Sequence, residues 1–380
     1  MRQVSGDASL LRRLNSAAIL RIMRASEDAT LTELARAARV SRPTAEGVVD
    51  DLLAEGWAEE CVEEQADRQR GRPARRFRFR ASAAHVVGVS IGHSGVRATV
   101  SDLNGGLVSV RRRRLAPDTA APDRLAATVE QVWLAAADAE IAVGDLVAVG
   151  VGTTGVVDGE GRVVKSIALP GWTGLHLQAE LGARLPVPVV VENDMRLAVL
   201  AEHWRGAAQG RSNVVYLFTG NRIGMGLLIG GVPYRGSHAA SGEIGRQPND
   251  NWVAFRHVMD YAMSAEPGEL RSSRQSAEFA ISRARDGDER AGQAVRDFAR
   301  GLASGLIPVV NPLDPEMVVI GGSLSSAGDL LVDPIQELLD EYCLYPPKVT
   351  ASGLGSECIM LGAVRLALNH ADRLLFTPPA

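Results

Sequence analysis

Apolar residues recur at helical spacing from the start of the chain: Leu10, Leu11, Leu14, Ala18, Ile19, Ile22 and Met23 mark one face of a helix over 10–24. A short helix over 33–38 follows, with Thr32 as its cap and Leu34 turned inward, and then a turn at Val40-Ser41. Ser41 caps a third helix that tolerates Pro43 in its first turn. Val48, Val49, Leu52 and Leu53 form its apolar stripe, and Gly56 sits where a helix stops. The pattern then changes to period two. Residues 57–62 read as a strand and Arg76-Phe77-Arg78-Phe79-Arg80 as its partner, with both phenylalanines on one face. Three helices, a tight turn and a hairpin predict a winged helix-turn-helix over residues 1–82.

Residues 81–84 form a joint of small residues, and from His85 strands and helices alternate, which predicts an α/β chain. Strands are expected at 86–91, 96–102, 107–113, 146–151, 187–191, 214–218, 226–229 and 317–320. Helices are expected at 123–139, 174–185, 194–205, 289–310 and 361–369. The stretch GVSIGHSGVRATVSDLNGG at 88–106 reads as strand, glycine turn, strand, and VVYLFTGNRIGMGLLIGG at 214–231 repeats that pattern. Two such hairpins predict a duplicated fold with two similar lobes facing across a cleft.

Composition and charge narrow the classes. The 380 residues are 46% hydrophobic, and a chain of this length can bury two or three cores. No apolar run reaches the ~18 residues of a membrane span, and the N-terminus lacks the pattern of a signal peptide, so a cytoplasmic location is expected. Cys61, Cys343 and Cys358 form neither a disulfide framework nor a CxxC pair. The net charge is −4, yet residues 1–82 carry 15 Arg against 13 Asp and Glu. Arg68 to Arg80 holds seven of those arginines and no acid, which predicts a local anion-binding surface.

The basic tip changes the reading of the hairpin. Arginines on a slim extended tip suit the narrow minor groove, so Arg70, Arg72 and Arg75 are candidate DNA contacts. Ser41, Arg42, Thr44, Ala45 and Glu46, at the start of the third helix, are the candidate major-groove contacts. Gly47 within that helix costs about 1 kcal/mol relative to alanine, which fits a close backbone approach to DNA or neutral drift.

Candidate chemistry in the remainder gathers in loops. A glycine hairpin turn can cradle phosphate through its N–H groups, but phosphoryl transfer also needs a carboxylate to organise Mg²⁺, and position 90 is serine. At Glu192-Asn193-Asp194 an apolar strand ends and a helix begins. Asn193 and Asp194 either hydrogen-bond a polyol, with Asp194 as a general base, or simply cap the helix. Glu243, between glycines in GSHAASGEIGR, is a further candidate hydroxyl acceptor.

Taken together, VVGVSIGHSGVRATVSDLNG, GVGTTGVVDGEG, LPGW, VVENDMRLAVLAEHWRG, VYLFTGNRIGMGLLIGG, GSHAASGEIG and MVVIGGSL resemble the ROK family of repressors and sugar kinases. The resemblance implies a two-lobed actin/hexokinase-like domain, a duplicated ribonuclease H-like fold. It assigns residues 83–195 with a C-terminal helix over 357–374 to one lobe and 196–356 to the other. It also implies that Asn193, Asp194 and Glu243 contact sugar hydroxyls. The family's kinases carry Asp-x-Gly-Gly-Thr in the first turn, where this chain has Ser90-Ile91-Gly92-His93-Ser94. In the second turn Arg222 stands where a glycine is usual.

These departures predict a chain without kinase activity and without a nucleotide cofactor. Arg246 replaces the usual histidine, and the family's cysteine cluster is missing, so no zinc is expected. Arg246, with Arg235, suits an acidic ligand. The expected protein is therefore a homodimeric or tetrameric repressor binding an inverted-repeat DNA operator and answering to a carbohydrate effector. An active sugar kinase with a DNA-binding arm is the alternative.

Overall fold

The computed structural model describes residues 4–61, 74–244, 254–269 and 271–376, with side chains from Leu11 onward. Its first part contains α1 (Val4–Ala25), β1 (Ala29–Thr30), α2 (Leu31–Ala38), α3 (Arg42–Ala54), β2 (Ala58–Cys61) and β3 (Arg76–Phe79). The strands form an antiparallel sheet in the order β1-β3-β2. Thr30, rather than Thr32, caps α2. Its hydroxyl accepts from the Glu33 N–H while Glu33 reaches back to the Thr30 N–H, a reciprocal box that fixes the start two residues earlier than expected. Ser41 caps α3 as its hydroxyl accepts from the Thr44 N–H. Leu34, Val48, Val49, Leu52, Phe77 and Phe79 are buried with Ile19 and Met23. Leu11 and Leu14 are exposed, because α2 and α3 are too short to cover the first half of α1.

Two five-stranded sheets follow. The first contains β4 (His85–Gly92), β5 (Gly95–Asp102), β6 (Leu107–Arg114), β7 (Leu146–Thr153) and, after the two-stranded pair β8 (Val156–Val157) and β9 (Val163–Lys165), β10 (Val189–Asn193). Helices α4 (Ala121–Asp138) and α5 (Leu177–Gly182) belong to the same part, α5 being shorter than the helix expected there because His176 caps it. The sheet order is β10-β7-β4-β5-β6. Helix α6 (Asp194–Arg205) leads on to β11 (Val214–Thr219), β12 (Ile223–Ile229), β13 (Val232–Pro233), β14 (Met317–Gly321) and β15 (Lys348–Ala351). That sheet runs β13-β12-β11-β14-β15. In each sheet the first three strands form an antiparallel meander and the last two add parallel on the far side of the first. The hairpin echo in the sequence is thus a repeated topology.

Helices α7 (Phe255–Ala265), α8 (Ser273–Arg285), α9 (Glu289–Leu313) and α10 (Asp329–Tyr342) cover the second sheet. The periodicity had indicated only α9 among these. Helix α8 is rich in Ser and Arg, and α10 contains Pro334. The last helix, α11 (Cys358–Phe376), returns to the first sheet and lies across β4 and β7. A Cβ at Gly88 would stand 2.6 Å from a Val364 methyl, and one at Gly150 only 2.2 Å from the Ala363 carbonyl oxygen.

Further along α11, Val364, Ala367, Leu368, Ala371 and Phe376 share one apolar core with the N-terminal unit. The Phe376 ring meets Trp57 and Phe79 edge-on, with centroids 5.7 and 6.3 Å away. Arg24 donates to the Leu103 carbonyl and pairs with Asp372. At the outer edge of the first sheet, β6 is exposed throughout most of its length. Arg111 pairs with Asp138, Arg112 with Glu357 and Arg113 with Glu130. Among the described residues no helix is long and apolar enough to cross a membrane.

Because the obstruction at Gly150 is backbone, Gly150→Ala must push α11 off the sheet. We expect the urea midpoint to fall by the equivalent of about 1–3 kcal/mol. An unchanged midpoint would mean that α11 does not hold the sheet this closely.

Candidate functional site

A polar cluster forms where β10 ends. Parallel pairing with β7 aligns Glu192 with Gly152 and Asn193 with Thr153, so both strand ends open on the same side. The Asn193 side-chain oxygen accepts from the Met195 and Arg196 N–H groups and starts α6. Its Nδ2 donates to the Gly155 carbonyl at 2.9 Å and to Asp194 Oδ1 at 3.0 Å. The helix-cap role of Asn193 is therefore real, and it orients the neighbouring carboxylate.

Asp194 is half-buried and also accepts from the Met195 N–H. Withdrawal from water raises its carboxyl from the ordinary 3.8 to about 7; the charge of Glu243 adds to this, and the Met195 N–H and Arg196 oppose it. At neutral pH the group is therefore divided between acceptor-only carboxylate and carboxylic acid able to donate. Glu243 itself is exposed on the loop after β13. Arg246 lies outside the described residues.

Beneath Asp194 is a buried ionic clamp that sequence reasoning missed. Glu192 Oε1 accepts from Arg196 Nε at 2.6 Å, and Arg196 also donates to the Ala239 carbonyl at 2.9 Å and the Val157 carbonyl at 2.7 Å. One guanidinium thus ties the loop after β13 to β8. Arg235 places Nε and Nη2 on Glu192 Oε2, at 2.9 and 2.6 Å. This alters the expectation for Arg235: its fork is already engaged by a carboxylate of the chain itself. The available signal was the four-residue spacing from Glu192 to Arg196 on a helix start.

The two hairpin turns are built differently. Gly92 pairs with Gly95, so His93 and Ser94 form a two-residue loop; His93 is exposed, with Nδ1 3.3 Å from the Ala168 carbonyl. Ser90 lies in β4, paired with Arg97 and Gly152. A fully buried arginine, Arg124, donates to the Gly92 carbonyl at 2.7 Å from behind the turn. In the second hairpin Arg222 is exposed. Gly226 is required by packing, since a Cβ there would stand 2.3 Å from the Met195 carbonyl oxygen, while one at Gly224 would push on the movable Met195 side chain, 2.6 Å from Sδ. Among the described residues no group of three or more His, Cys, Asp and Glu assembles to hold a metal.

On the N-terminal unit, Ser41, Arg42, Thr44 and Glu46 are exposed at the start of α3. Ala45 is a correction: it is 0% exposed and packs in the core, where no base edge can reach it. A Cβ on Gly47 would meet nothing within 4 Å. Arg75 makes two hydrogen bonds to Glu60, at 2.7 and 2.8 Å, and covers the Phe77 ring. Arg70 and Arg72 fall outside the described residues.

Asp194 gives a pH signature. Across the window from about pH 4 to about pH 7 the folded chain retains a proton that the unfolded chain releases, so its contribution to stability is lost as pH rises. Asp194→Asn removes that loss. Chemical denaturation should find the variant more stable than the parent by roughly 2 kcal/mol above pH 7, allowing for partial solvation, and the gap should close toward pH 4. A difference flat with pH would refute the assignment.

Comparison with known proteins agrees with this architecture. The ROK family profile matches residues 86–370. A xylose repressor of Caldicellulosiruptor bescii is 20% identical over 98% of this chain and 99% of its own. A glucokinase of Streptomyces coelicolor is 28% identical over 74% of this chain and 97% of its own. Among solved structures, a ROK family transcriptional regulator homologous to the E. coli Mlc protein superposes with a TM-score of 0.75 at 20% identity, covering 97% of this chain and 99% of that one. A ROK family glucokinase from Streptomyces griseus, solved with glucose and AMPPNP, gives 0.63 at 26% identity over 75% of this chain and 100% of that one. Over residues 86–370, from β4 into α11, the chain belongs to the ROK family.

Proposed function

We propose that the protein is a sequence-specific DNA-binding transcription regulator, a repressor, whose kinase-like cleft receives a carbohydrate effector. One observation carries the reading. Alignment with a relative named as a xylose repressor spans 98% of this chain, whereas the glucokinase alignment stops at 74% while using 97% of that enzyme. What the repressor alignment adds is the extra unit at the N-terminus.

In this reading α2, the turn and α3 form a helix-turn-helix, and β2 and β3 form the wing. Residues 1–82 are the DNA reader, 83–195 with 357–374 one lobe, and 196–356 the other. Ser41, Arg42, Thr44 and Glu46 face the major groove, Glu46 as an acceptor suited to a cytosine amino group. Arg70 and Arg72 serve the minor groove, and Arg75, held by Glu60, steadies the wing base. Two copies, or four, bind an inverted repeat in the cytoplasm. Asn193, Asp194, Glu243 and Arg246 hold the effector, and Asp194, near its midpoint at neutral pH, serves a hydroxyl as donor or acceptor.

Mg²⁺–ATP does not fit the residues present. Ser90 offers a hydroxyl where a metal-organising carboxylate is needed, and His93 and Arg222 place bulk in both glycine turns. No cofactor is assigned. The second reading, an active sugar kinase, is favoured by Asp194, whose carboxyl sits in the range of a general base. A coupled ATPase assay over a sugar panel separates the two: sugar-dependent turnover abolished by Asp194→Asn would establish the kinase.

DNA capture tests the main reading. Genomic fragments retained by the full chain should share an inverted repeat, and recovery without a common sequence would count against it. Gly47 offers a sharper test, since no internal contact explains a helical glycine there. Gly47→Ala should stabilise the free protein by about 0.5–1 kcal/mol while weakening operator binding several-fold. Stabilisation with unchanged DNA affinity would remove α3 from the contact surface.

A further inference from the structure

A cavity of about 140 Å³ lies between the N-terminal unit and the end of α11, at a distance along that helix from the Asp194 cluster. Leu20, Phe79 and Phe376 supply its apolar walls. Arg24 and Asp372 also line it, but they neutralise each other, and Arg24 is further held by the Leu103 carbonyl. Arg21 and Arg373 complete the lining, and both are exposed. Among the described residues neither has a carboxylate partner; Arg373 reaches only the His370 ring nitrogen, at 3.5 Å.

We infer that this cavity is a binding site for a small aromatic carboxylate, its ring seated against Phe79 and Phe376 and its carboxylate held by Arg21 and Arg373. Size sets the first limit. A void of ~150 Å³ lined by apolar side chains accepts benzene, so this one takes a single ring and little more. The walls favour an aromatic occupant, since Phe376 already meets Phe79 and Trp57 edge-on and Arg24 lies over the Phe79 ring, a cluster that an entering ring would extend at its border.

Charge sets the second limit. With Arg24 paired to Asp372, the charge left in the lining is that of Arg21 and Arg373, which have no carboxylate partner among the described residues. Guanidinium forks match a carboxylate in plane and spacing. A simple inorganic anion answers the arginines but leaves the apolar walls dry and unfilled. A neutral ring does the reverse. Only an amphipathic anion satisfies both.

The occupant would touch α1, β3 and α11 together, so it would act on the seam between the N-terminal unit and the lobes. This makes it a second chemical input, separate from the cleft, and it does not rest on the DNA-binding reading.

Calorimetry on the full chain with sodium benzoate, benzyl alcohol and sodium acetate tests the site. Benzoate should bind one to one, and the neutral ring and the ringless anion each at least about tenfold more weakly. Arg21→Ala with Arg373→Ala, both exposed positions, should weaken benzoate by about tenfold or more while leaving the unfolding midpoint close to that of the parent. A soak with 4-bromobenzoate should place the bromine-bearing ring against Phe376. Equal binding of benzyl alcohol or acetate would overturn the proposal. So would unchanged affinity in the double variant, or no heat below about 10 mM benzoate.

Discussion

The approach of α11 to bare backbone is the constraint on which the rest of the molecule depends. At Gly88 and Gly150 the helix touches the sheet where any side chain would intrude, and at Gly362 it crosses α6 with the Leu197 carbonyl 2.0 Å from where a Cβ would stand. These contacts place the last element of the chain in the core of a sheet that began at residue 85. The first sheet cannot complete its packing without α11, which lies more than 200 residues beyond β7 in the chain, a long-range dependence of the kind that slows folding. The crossing of α6 and α11 is also pinned by buried polar groups. Glu202 of α6 accepts from the Ser352 hydroxyl, and the Tyr216 hydroxyl lies 3.2 Å from Cys358 Sγ. Burial raises that thiol to about 11, so it packs as a small apolar group rather than acting as a nucleophile.

The ionic clamp has a different character. Glu192 is shared by two arginines, and Arg196 is 2% exposed, so the cluster sits where an unpaired charge is strongly unfavourable. Its value lies in geometry more than in net stability. The same guanidinium holds the Ala239 and Val157 carbonyls, and the same carboxylate precedes the cap residue that aims Asp194. Any displacement of the loop after β13 relative to β8 therefore disturbs these bonds and the position of Asp194 together.

Much of this was legible because local chemistry and global fold agree. Ser41, Pro43 and Gly56 mark the limits of α3, and the glycine-turn hairpins recur because the topology recurs. The failures have physical causes. Thr30 outcompetes Thr32 because only Thr30 stands three residues before Glu33. Ala45 lies at a helix start, where a position alone does not tell which way the side chain faces. The glycines of the second turn suggest phosphate, but Met195 of α6 is what excludes a side chain at Gly226. Arg196 and Arg235 look like free cations in a sequence with 41 Lys and Arg, and only the fold brings both onto Glu192.

The edge strand β6 bears on how two chains can meet. A strand of eight residues paired only on its β5 side leaves its outer edge as a template for another strand. Here the run of arginines from Arg111 to Arg113 crowds that margin, and each one is already bound to an acid of its own chain, on α4 or at the start of α11. The bulky fringe crowds the template and is held in place by these acids, Glu357 serving Arg97 as well as Arg112. Pairing with a further strand is thereby discouraged on this side of the first sheet.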